Sequence, residues 1–262
     1  MKGSNKIRTL ATVACLVALT YAPVGCKSNP TGTGAAKAPA PDPSTLGSVS
    51  GVVRLAGNAP VPVRIDTTMD PACSPSGGDT YSEQLVVHDG KLANVFVYIK
   101  SGPPAAMLAG ESFPPLAVLD QKGCSYVPHV IAVEAAGSVE FRNDDMTMHN
   151  VHAMPTVVGN AAVDISEGPN GKPQTRQFKQ PEIMIPVRCN NHPWMSAFIN
   201  VSATPWFAVT GADGSFTLKG MPAGQYVLGF VQEKLGEQDS TVTVKPQAVT
   251  TADESFTMKP EA

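Results

Sequence analysis

The chain is predicted to be an all-β protein, and its composition and apolar patterning both indicate this class. It contains 24 Pro and 23 Gly among 262 residues, which is typical of a chain with many turns. Apolar residues occur in short runs rich in Val, Ile, Thr and Phe, and several of these runs alternate with polar residues as half-buried strands do. Few segments have the longer period of an amphipathic helix, so an all-β fold is expected.

The N-terminus predicts export. Three cations precede residues 9–22, a mostly apolar stretch that is too short to span a membrane but suits the core of a signal peptide. Residues 1–25 are therefore predicted to be a signal peptide. The run V-G-C that ends at Cys26 resembles a bacterial lipobox and implies lipidation of Cys26, although Pro23 stands where an aliphatic residue is usual. Because Lys27 is not the Asp that retains such proteins at the inner membrane, we expect a lipid anchor in the outer membrane, facing the periplasm; ordinary cleavage nearby is the alternative.

A tether and an N-terminal β segment are predicted next. Residues 26–45 are rich in Pro, Gly, Ala and Thr and contain almost nothing that could enter a core, as expected of a flexible tether. Residues 46–112 contain at least two strands, one from Ser48 and another over Leu92–Ile99. Gly-Pro-Pro after Ser101 ends the second strand.

The central region holds the residues that carry chemistry. The run C-N-N-H-P-W-M contains Cys189, His192 and Met195, and His149 lies about forty residues upstream in the run N-D-D-M-T-M-H-N-V-H. Apolar residues alternate ahead of Cys189, and Pro193 breaks that strand, so His192 and Met195 are expected on a turn that folds back over the strand end. One thiolate, two imidazoles and one thioether form the ligand set of a blue-copper electron-transfer site. The motif therefore predicts one mononuclear type-1 copper site.

These motifs resemble those of cupredoxins of the plastocyanin and amicyanin type, over roughly residues 113–203. The resemblance implies a Greek-key β-sandwich for this segment. It implies four copper ligands: His149, Cys189, His192 and Met195. It also implies that Asn150 hydrogen-bonds to the cysteine loop and holds it. An exposed His192 with Trp194 in an apolar docking patch is a further implication, and burial in the core is the alternative for Trp194.

The C-terminal segment resembles a different module. An Asp213-Gly214 hairpin signal lies within the pattern D-G-x-F, which is followed by P-x-G-x-Y. This pattern resembles carboxypeptidase-regulatory-like domains and implies a prealbumin-like β-sandwich over residues 204–262. Together, the motifs resemble secreted bacterial plastocyanin-like proteins that carry such a module. About sixty residues are few for an independent sandwich. We therefore hypothesise that residues 46–112 pack with residues 204–262 around an inserted copper segment; separate domains in a row are the alternative.

Cysteine usage predicts one disulfide. Of five cysteines, Cys15 lies in the leader, Cys26 would carry lipid and Cys189 would bind copper. The remaining two in this exported chain, Cys73 and Cys124, are expected to pair, and separate buried thiols are the alternative.

Charge and motifs narrow the function classes. The leader holds three of the 19 Lys and Arg and none of the 22 Asp and Glu, so the mature chain has a charge of about −6, which argues against nucleic-acid binding. No Ser–His or paired-carboxylate motif is present, and Asp144-Asp145 is interpreted as a solvated turn. Four protein ligands would leave no open metal position for a substrate, so the chain is predicted not to be an enzyme. Its expected partners are redox proteins of the cell envelope.

Three functions remain open at this stage. The first is an electron carrier that cycles between Cu(II) and Cu(I). The second is a copper-handling protein that stores or delivers the metal through the methionines near His149, which are Met146, Met148 and Met154. The third is a structural zinc module in which His152 completes a tetrahedral site. Asn150 and Met195 favour the first function, since zinc needs neither.

Overall fold

The computed structural model describes residues 42–73, 79–103 and 116–258. The predicted signal peptide, the lipidation site at Cys26 and most of the tether lie outside the described residues. The described part of the chain contains 21 strands, two short 3-10 helices and no α-helix, so the predicted all-β class is confirmed. Among these residues, no helix has the length and apolar character needed to cross a membrane.

The strands in chain order are β1 (Leu46–Ala56), β2 (Arg64–Ile65), β3 (Thr80–Tyr81), β4 (Val87–His88), β5 (Lys91–Leu92), β6 (Phe96–Ser101), β7 (Ala117–Gln121), β8 (Tyr126–Val127), β9 (Val130–Glu134), β10 (Ser138–Asn143), β11 (His149–Ala153), β12 (Val163–Glu167), β13 (Gln174–Gln177), β14 (Glu182–Arg188), β15 (Ser196–Ser202), β16 (Phe207–Val209), β17 (Ser215–Pro222), β18 (Gly224–Gln232), β19 (Gly236–Val244), β20 (Val249–Thr251) and β21 (Glu254–Thr257). The 3-10 helices span Pro43–Thr45 and Pro71–Cys73.

Strands β7 to β15 form the central sandwich, residues 117–202. One sheet has the strand order β13-β10-β7-β8, and the other has the order β12-β11-β14-β15-β9. Alternate residues of β10 are buried, as expected of a strand with one face on a core. Large side chains that are fully buried between the sheets include Leu119, Phe141, Phe178, Ile185 and Ile199. Burial of each such side chain stabilises the fold by about 1.5–3 kcal/mol.

A second body, the split sandwich, comprises residues 46–56, 87–101 and 207–257. Its sheets have the orders β17-β1-β5-β4 and β16-β6-β18-β19. Strand β1 pairs antiparallel with β17 and parallel with both β20 and β21, so segments from both ends of the described chain share one sheet. A Cβ atom on Gly51 would lie 2.2 Å from the carbonyl oxygen of Ala252, which explains the need for glycine at this close strand contact.

The two sandwiches pack against each other through a small apolar junction. On the split sandwich, its buried residues are Phe96, Tyr98 and Val231. On the central sandwich, Ala132, Ile183 and Met184 pack against them. A polar contact also joins the two sandwiches: the buried His129 bonds to Glu233 through Nε2 and to the carbonyl oxygen of Ser196 through Nδ1.

One part of the predicted N-terminal segment, residues 46–112, packs differently from the expectation. Cys73 forms a disulfide with Cys124, the pair that cysteine usage predicted, and is buried in the core of the central sandwich. Nearby, Asp70 accepts a hydrogen bond of 3.2 Å from Thr147 Oγ1. Residues 70–73 therefore contact the central sandwich rather than residues 204–262, because the disulfide joins them to it.

Candidate metal centre

Residues 189–195 form a loop, called the ligand loop below, that connects the neighbouring antiparallel strands β14 and β15 at one end of the central sandwich. Strand β14 ends at Arg188, so Cys189 is the first residue beyond it, and β15 begins directly after Met195. Two backbone hydrogen bonds close the loop: Cys189 N donates to Met195 O at 3.3 Å, and Met195 N donates to His192 O at 3.0 Å. The loop therefore turns back over the strand end, as Pro193 predicted.

Three predicted ligand side chains converge on one point. His149 Nδ1 lies 2.9 Å from His192 Nδ1, and Cys189 Sγ lies 3.6 Å from the same His192 nitrogen. One ligand atom from each of the three residues lies within 4.8 Å of the others. His149 is 0% exposed, and Cys189 and His192 are each 4% exposed. This places a thiol and two imidazoles in contact, away from solvent.

Each imidazole also meets a carboxylate on its outer side. His149 Nε2 lies 2.8 Å from Asp145 Oδ2, and His192 Nε2 lies 2.9 Å from Asp70 Oδ2. We assign both Nε2 atoms as N–H donors from these partners. Both Nδ1 atoms then present lone pairs to each other at 2.9 Å, and two lone pairs at that distance repel unless a proton or a cation lies between them. The donor set therefore fits a metal ion.

Burial favours the neutral form of the His149 imidazole. Desolvation lowers the pKa of His149, and this effect outweighs the opposing hydrogen bond to Asp145. The neutral imidazole is therefore favoured at neutral pH. A neutral ring with Nε2 protonated can bind a metal through Nδ1.

Asn150 lies against the cysteine loop. Its backbone N–H donates to Cys189 Sγ at 3.4 Å, and its side-chain Oδ1 accepts from Asn190 N at 3.4 Å. Its Nδ2 is fixed by Asp164 Oδ1 at 2.8 Å, and the Tyr126 hydroxyl donates to its carbonyl oxygen. Asn150 thus joins β11 to the cysteine loop and gives the sulfur a donor.

Met195 and Trp194 complete the loop. Met195 is 1% exposed and belongs to the same core as Cys189. The Trp194 ring centroid lies 5.1 Å from that of His192, and Trp194 Nε1 donates to Cys124 O at 3.1 Å. The expectation of an exposed His192 is wrong, because the segment that contains Asp70 covers its outer edge.

Other candidate residues lie apart from this cluster. The half-buried His152 has its Nδ1 3.4 Å from Asn190 Oδ1 and is not among the clustered ligand atoms. The three methionines near His149 are 76%, 54% and 37% exposed, for Met146, Met148 and Met154 respectively. A cavity of about 300 Å³ adjoins His192 and is lined by Met69, Asp70, Met148 and Asn191.

The sequence did not predict that Asp145 and Asp70 contact the two histidines. The interpretation of Asp145 as part of a solvated turn is wrong: its side chain is 16% exposed and accepts hydrogen bonds from the backbone of Gly123 and Cys124. Its position four residues before His149 was an available signal. Asp70 lies 122 residues from His192 and had no sequence signal.

Of the comparisons with known proteins, only the one with solved structures finds matches, and copper proteins are among them. No protein-family model and no curated protein matches the chain. The copper-containing nitrite reductase NirK from Thermus scotoductus SA-01 aligns at 24% identity and a TM-score of 0.30, over 36% of this chain and 23% of that one. The chain thus spans about a quarter of the length of that enzyme.

Two smaller proteins align over nearly their whole length. The reduced Cu(I) form, at pH 4, of a point mutant of amicyanin aligns at 23% identity and a TM-score of 0.30, over 40% of this chain and 97% of that one. A purple cupredoxin from Nitrosopumilus maritimus aligns at 18% identity and a TM-score of 0.27, over 33% of this chain and 99% of that one. At these TM-scores, the alignments carry no inference about function.

Proposed function

We propose that this protein carries single electrons through one mononuclear type-1 copper site. The observation that carries the proposal is the convergence of Cys189, His149 and His192 in a buried position, with one ligand atom from each within 4.8 Å of the others. One thiolate and two imidazoles form the trigonal set of blue-copper sites. Copper bound there would supply the one-electron couple between Cu(II) and Cu(I).

The residues around the site have distinct roles in this proposal. Cys189 supplies the strong soft ligand, and Asn150 N–H donates to its sulfur. Met195, which is buried in the same core as Cys189, would add a weak thioether ligand that tunes the reduction potential. The tightly closed loop and the burial of all three convergent residues hold the donors in place, which favours electron transfer because little rearrangement then accompanies a change of charge. We propose no enzymatic activity for the site.

A spectrum of a soluble form of the mature protein, residues 27–262, which omits Cys26, tests this function. After addition of Cu(II) and an oxidant, we expect an intense blue or green charge-transfer band with narrow copper hyperfine splitting in the paramagnetic-resonance spectrum. Ascorbate should bleach the band reversibly. A colourless protein that retains zinc, or that binds only Cu(I), would contradict the proposal.

Copper handling is the second candidate, and one observation favours it. Exposed thioethers at Met69 and Met148 line the cavity beside His192, and thioethers are good ligands for Cu(I). Binding of Cu(I) without a coloured Cu(II) form would support this function over electron transfer. The zinc alternative is less well supported, because His152 does not join the cluster.

We further propose that the protein works at the cell envelope. The leader and Cys26 support a lipid-anchored periplasmic protein with redox-protein partners. In cells, the wild type should fractionate with membranes, and Cys26→Ala should move to the soluble periplasmic fraction. Identical fractionation of the two forms would argue against the anchor.

A further inference from the structure

Both candidate ligand imidazoles are held by carboxylates that come from different parts of the chain. Asp145 lies in the turn between β10 and β11, four residues before the histidine that it contacts. Asp70 lies directly before the 3-10 helix Pro71–Cys73, outside the central sandwich, and contacts His192. Each carboxylate accepts from Nε2, so each leaves Nδ1 of its histidine directed at Nδ1 of the other histidine.

The disulfide fixes the backbone that supports both carboxylates. On one side of it, Gly123 N and Cys124 N donate to Asp145 at 2.7 and 2.8 Å. On the other side, Cys73 N donates to the carbonyl oxygen of Asp70 at 2.9 Å. The disulfide joins Cys73 to Cys124, so one covalent bond ties the two supporting segments together.

Local contacts hold Asp70 and Asp145 unequally. Asp145 is part of the central sandwich, and Asn143 Oδ1 accepts from its backbone N–H at 3.0 Å. Asp70 belongs to a segment that is joined to the central sandwich near the site by the disulfide, the hydrogen bond from Thr147 and the bond to His192. Loss of the disulfide should therefore release Asp70 more than Asp145.

We propose that Asp70 and Asp145 are positioning residues that hold His192 and His149 as Nδ1 ligands, and that the Cys73–Cys124 disulfide keeps this pair of carboxylates in place. The proposal rests on the metal site described under the proposed function but not on its redox role. Asp70 also covers the outer edge of His192, so this carboxylate both orients the ring and excludes solvent from it.

Two readouts test the carboxylates in the full mature chain. The first is the affinity for Cu(II), and separately for Co(II), in competition with a chelator. The second is the nitrogen chemical shifts of the histidines in metal-free protein, which report the tautomer of each ring. Asp70→Asn and Asp70→Ala should lower the affinity about 10–100-fold, and His192 should change from one tautomer to a mixture. Asp145→Asn should do the same for His149.

Asp144→Asn is the matched control. The Asp144 carboxylate is 54% exposed, and its neighbours are Lys122 Nζ, at 4.0 Å, and the Asp120 carboxylate, neither of which contacts His149 or His192. Its substitution should leave both readouts unchanged. Affinities within threefold of wild type in the Asp70 and Asp145 variants, together with unchanged histidine tautomers, would overturn the proposal.

The double variant Cys73→Ser/Cys124→Ser tests the disulfide. We expect the tautomer of His192 to become mixed, as in Asp70→Ala, with a smaller change at His149. Unchanged tautomers at both rings in a folded double variant would overturn the role given to the disulfide. The outcomes separate this inference from the proposed function: a colourless wild type whose Co(II) affinity still depends on Asp70 would refute electron transfer alone.

Discussion

The buried polar side chains of the central and split sandwiches differ in what they contact. In the central sandwich, buried polar residues at the loop end contact one another, and the cluster of His149, Cys189 and His192 is the result. In the split sandwich, buried polar groups serve the backbone. Thr210 Oγ1, for example, donates to Leu92 O at 2.8 Å and accepts from Val95 N at 3.0 Å. Among its described residues, the split sandwich has no cluster of three or more potential metal ligands.

This difference follows from how each body is assembled. The central sandwich is continuous in sequence, and its ligand loop joins neighbouring strands, so a short motif suffices to bring Cys189, His192 and Met195 together. The split sandwich uses segments from both ends of the chain, and its core is rich in aromatic residues, including Phe216, Tyr226, Phe230 and Phe256. The candidate metal ligands are thus concentrated in the central sandwich.

Of the changes proposed here, separating the two halves of the split sandwich should have the largest effect on folding. Residues 204–262 alone lack β1, which pairs with β17, β20 and β21. We expect this fragment to remain unfolded, because its sheet edges and core would be exposed. Thermal unfolding followed by circular dichroism checks this, with residues 42–262 as the control. A cooperative transition in the short fragment would show that it is an independent domain.

Removal of the thiolate should separate the site from the fold. Cys189→Ser should abolish the intense charge-transfer band, because the strong sulfur-to-copper interaction is lost. The fold should survive, since the side chain is replaced by one of similar shape. Visible spectra and thermal melts of wild type and variant provide the measurement. A retained blue band would contradict the assignment of Cys189 as a ligand.

Damage to the split-sandwich core should have the opposite pattern. Phe230 is fully buried, and its ring packs edge-on against Phe216 at 5.5 Å. Phe230→Ala should lower the free energy of unfolding by about 3–5 kcal/mol and leave the copper spectrum unchanged below the transition. Denaturant titration with parallel spectroscopy measures both quantities. A changed spectrum in the folded variant would mean that the two bodies are coupled more tightly than their junction suggests.

The contribution of the Glu182 carboxylate to the stability of the central sandwich should depend on pH. Burial raises the pKa of Glu182, but hydrogen bonds from Asn160, Thr156 and Val157 together lower it by more than burial raises it. The pKa therefore lies below the ordinary value of 4.5. The ionised form therefore stabilises the fold above that pH, and this contribution is lost as the pH falls through the lowered pKa.

Glu182→Gln should thus cost about 1–3 kcal/mol at pH 7, because hydrogen bonds to a charged acceptor are lost. The difference from wild type should shrink on acidification below pH 4.5. Unfolding titrations at pH 7 and at acidic pH measure it. A pH-independent difference would argue that packing of the side chain, rather than its charge, is responsible.

The smallest expected change follows substitution of Met195, the proposed weak ligand. Met195→Gln should preserve the coloured site and lower its reduction potential, because an amide oxygen favours Cu(II) more than a thioether does. Potentiometric titration followed in the visible band measures the shift. An unchanged potential would indicate that Met195 only packs in the core, where it is 1% exposed.

Local patterns in the sequence were sufficient for the elements and for most of the candidate site. Alternation ahead of Cys189 predicted a strand, and the structure has β14 there, ending at Arg188. Pro193 predicted the turn that brings His192 back over the strand end. The exposure of His192 was predicted wrongly, since the segment that covers it is remote in sequence.

The sequence by itself determined the all-β class, the spacing of the ligand loop and the two cysteines left to pair, because each depends on side-chain period, backbone restriction or residue type within a short window. Only the tertiary structure decided that β1 lies beside strands from the opposite end of the chain, and that Asp70 meets His192. Contacts of this kind depend on how distant segments pack once their apolar faces are buried. A single aspartate in a loop has no local feature that distinguishes it from a solvated one.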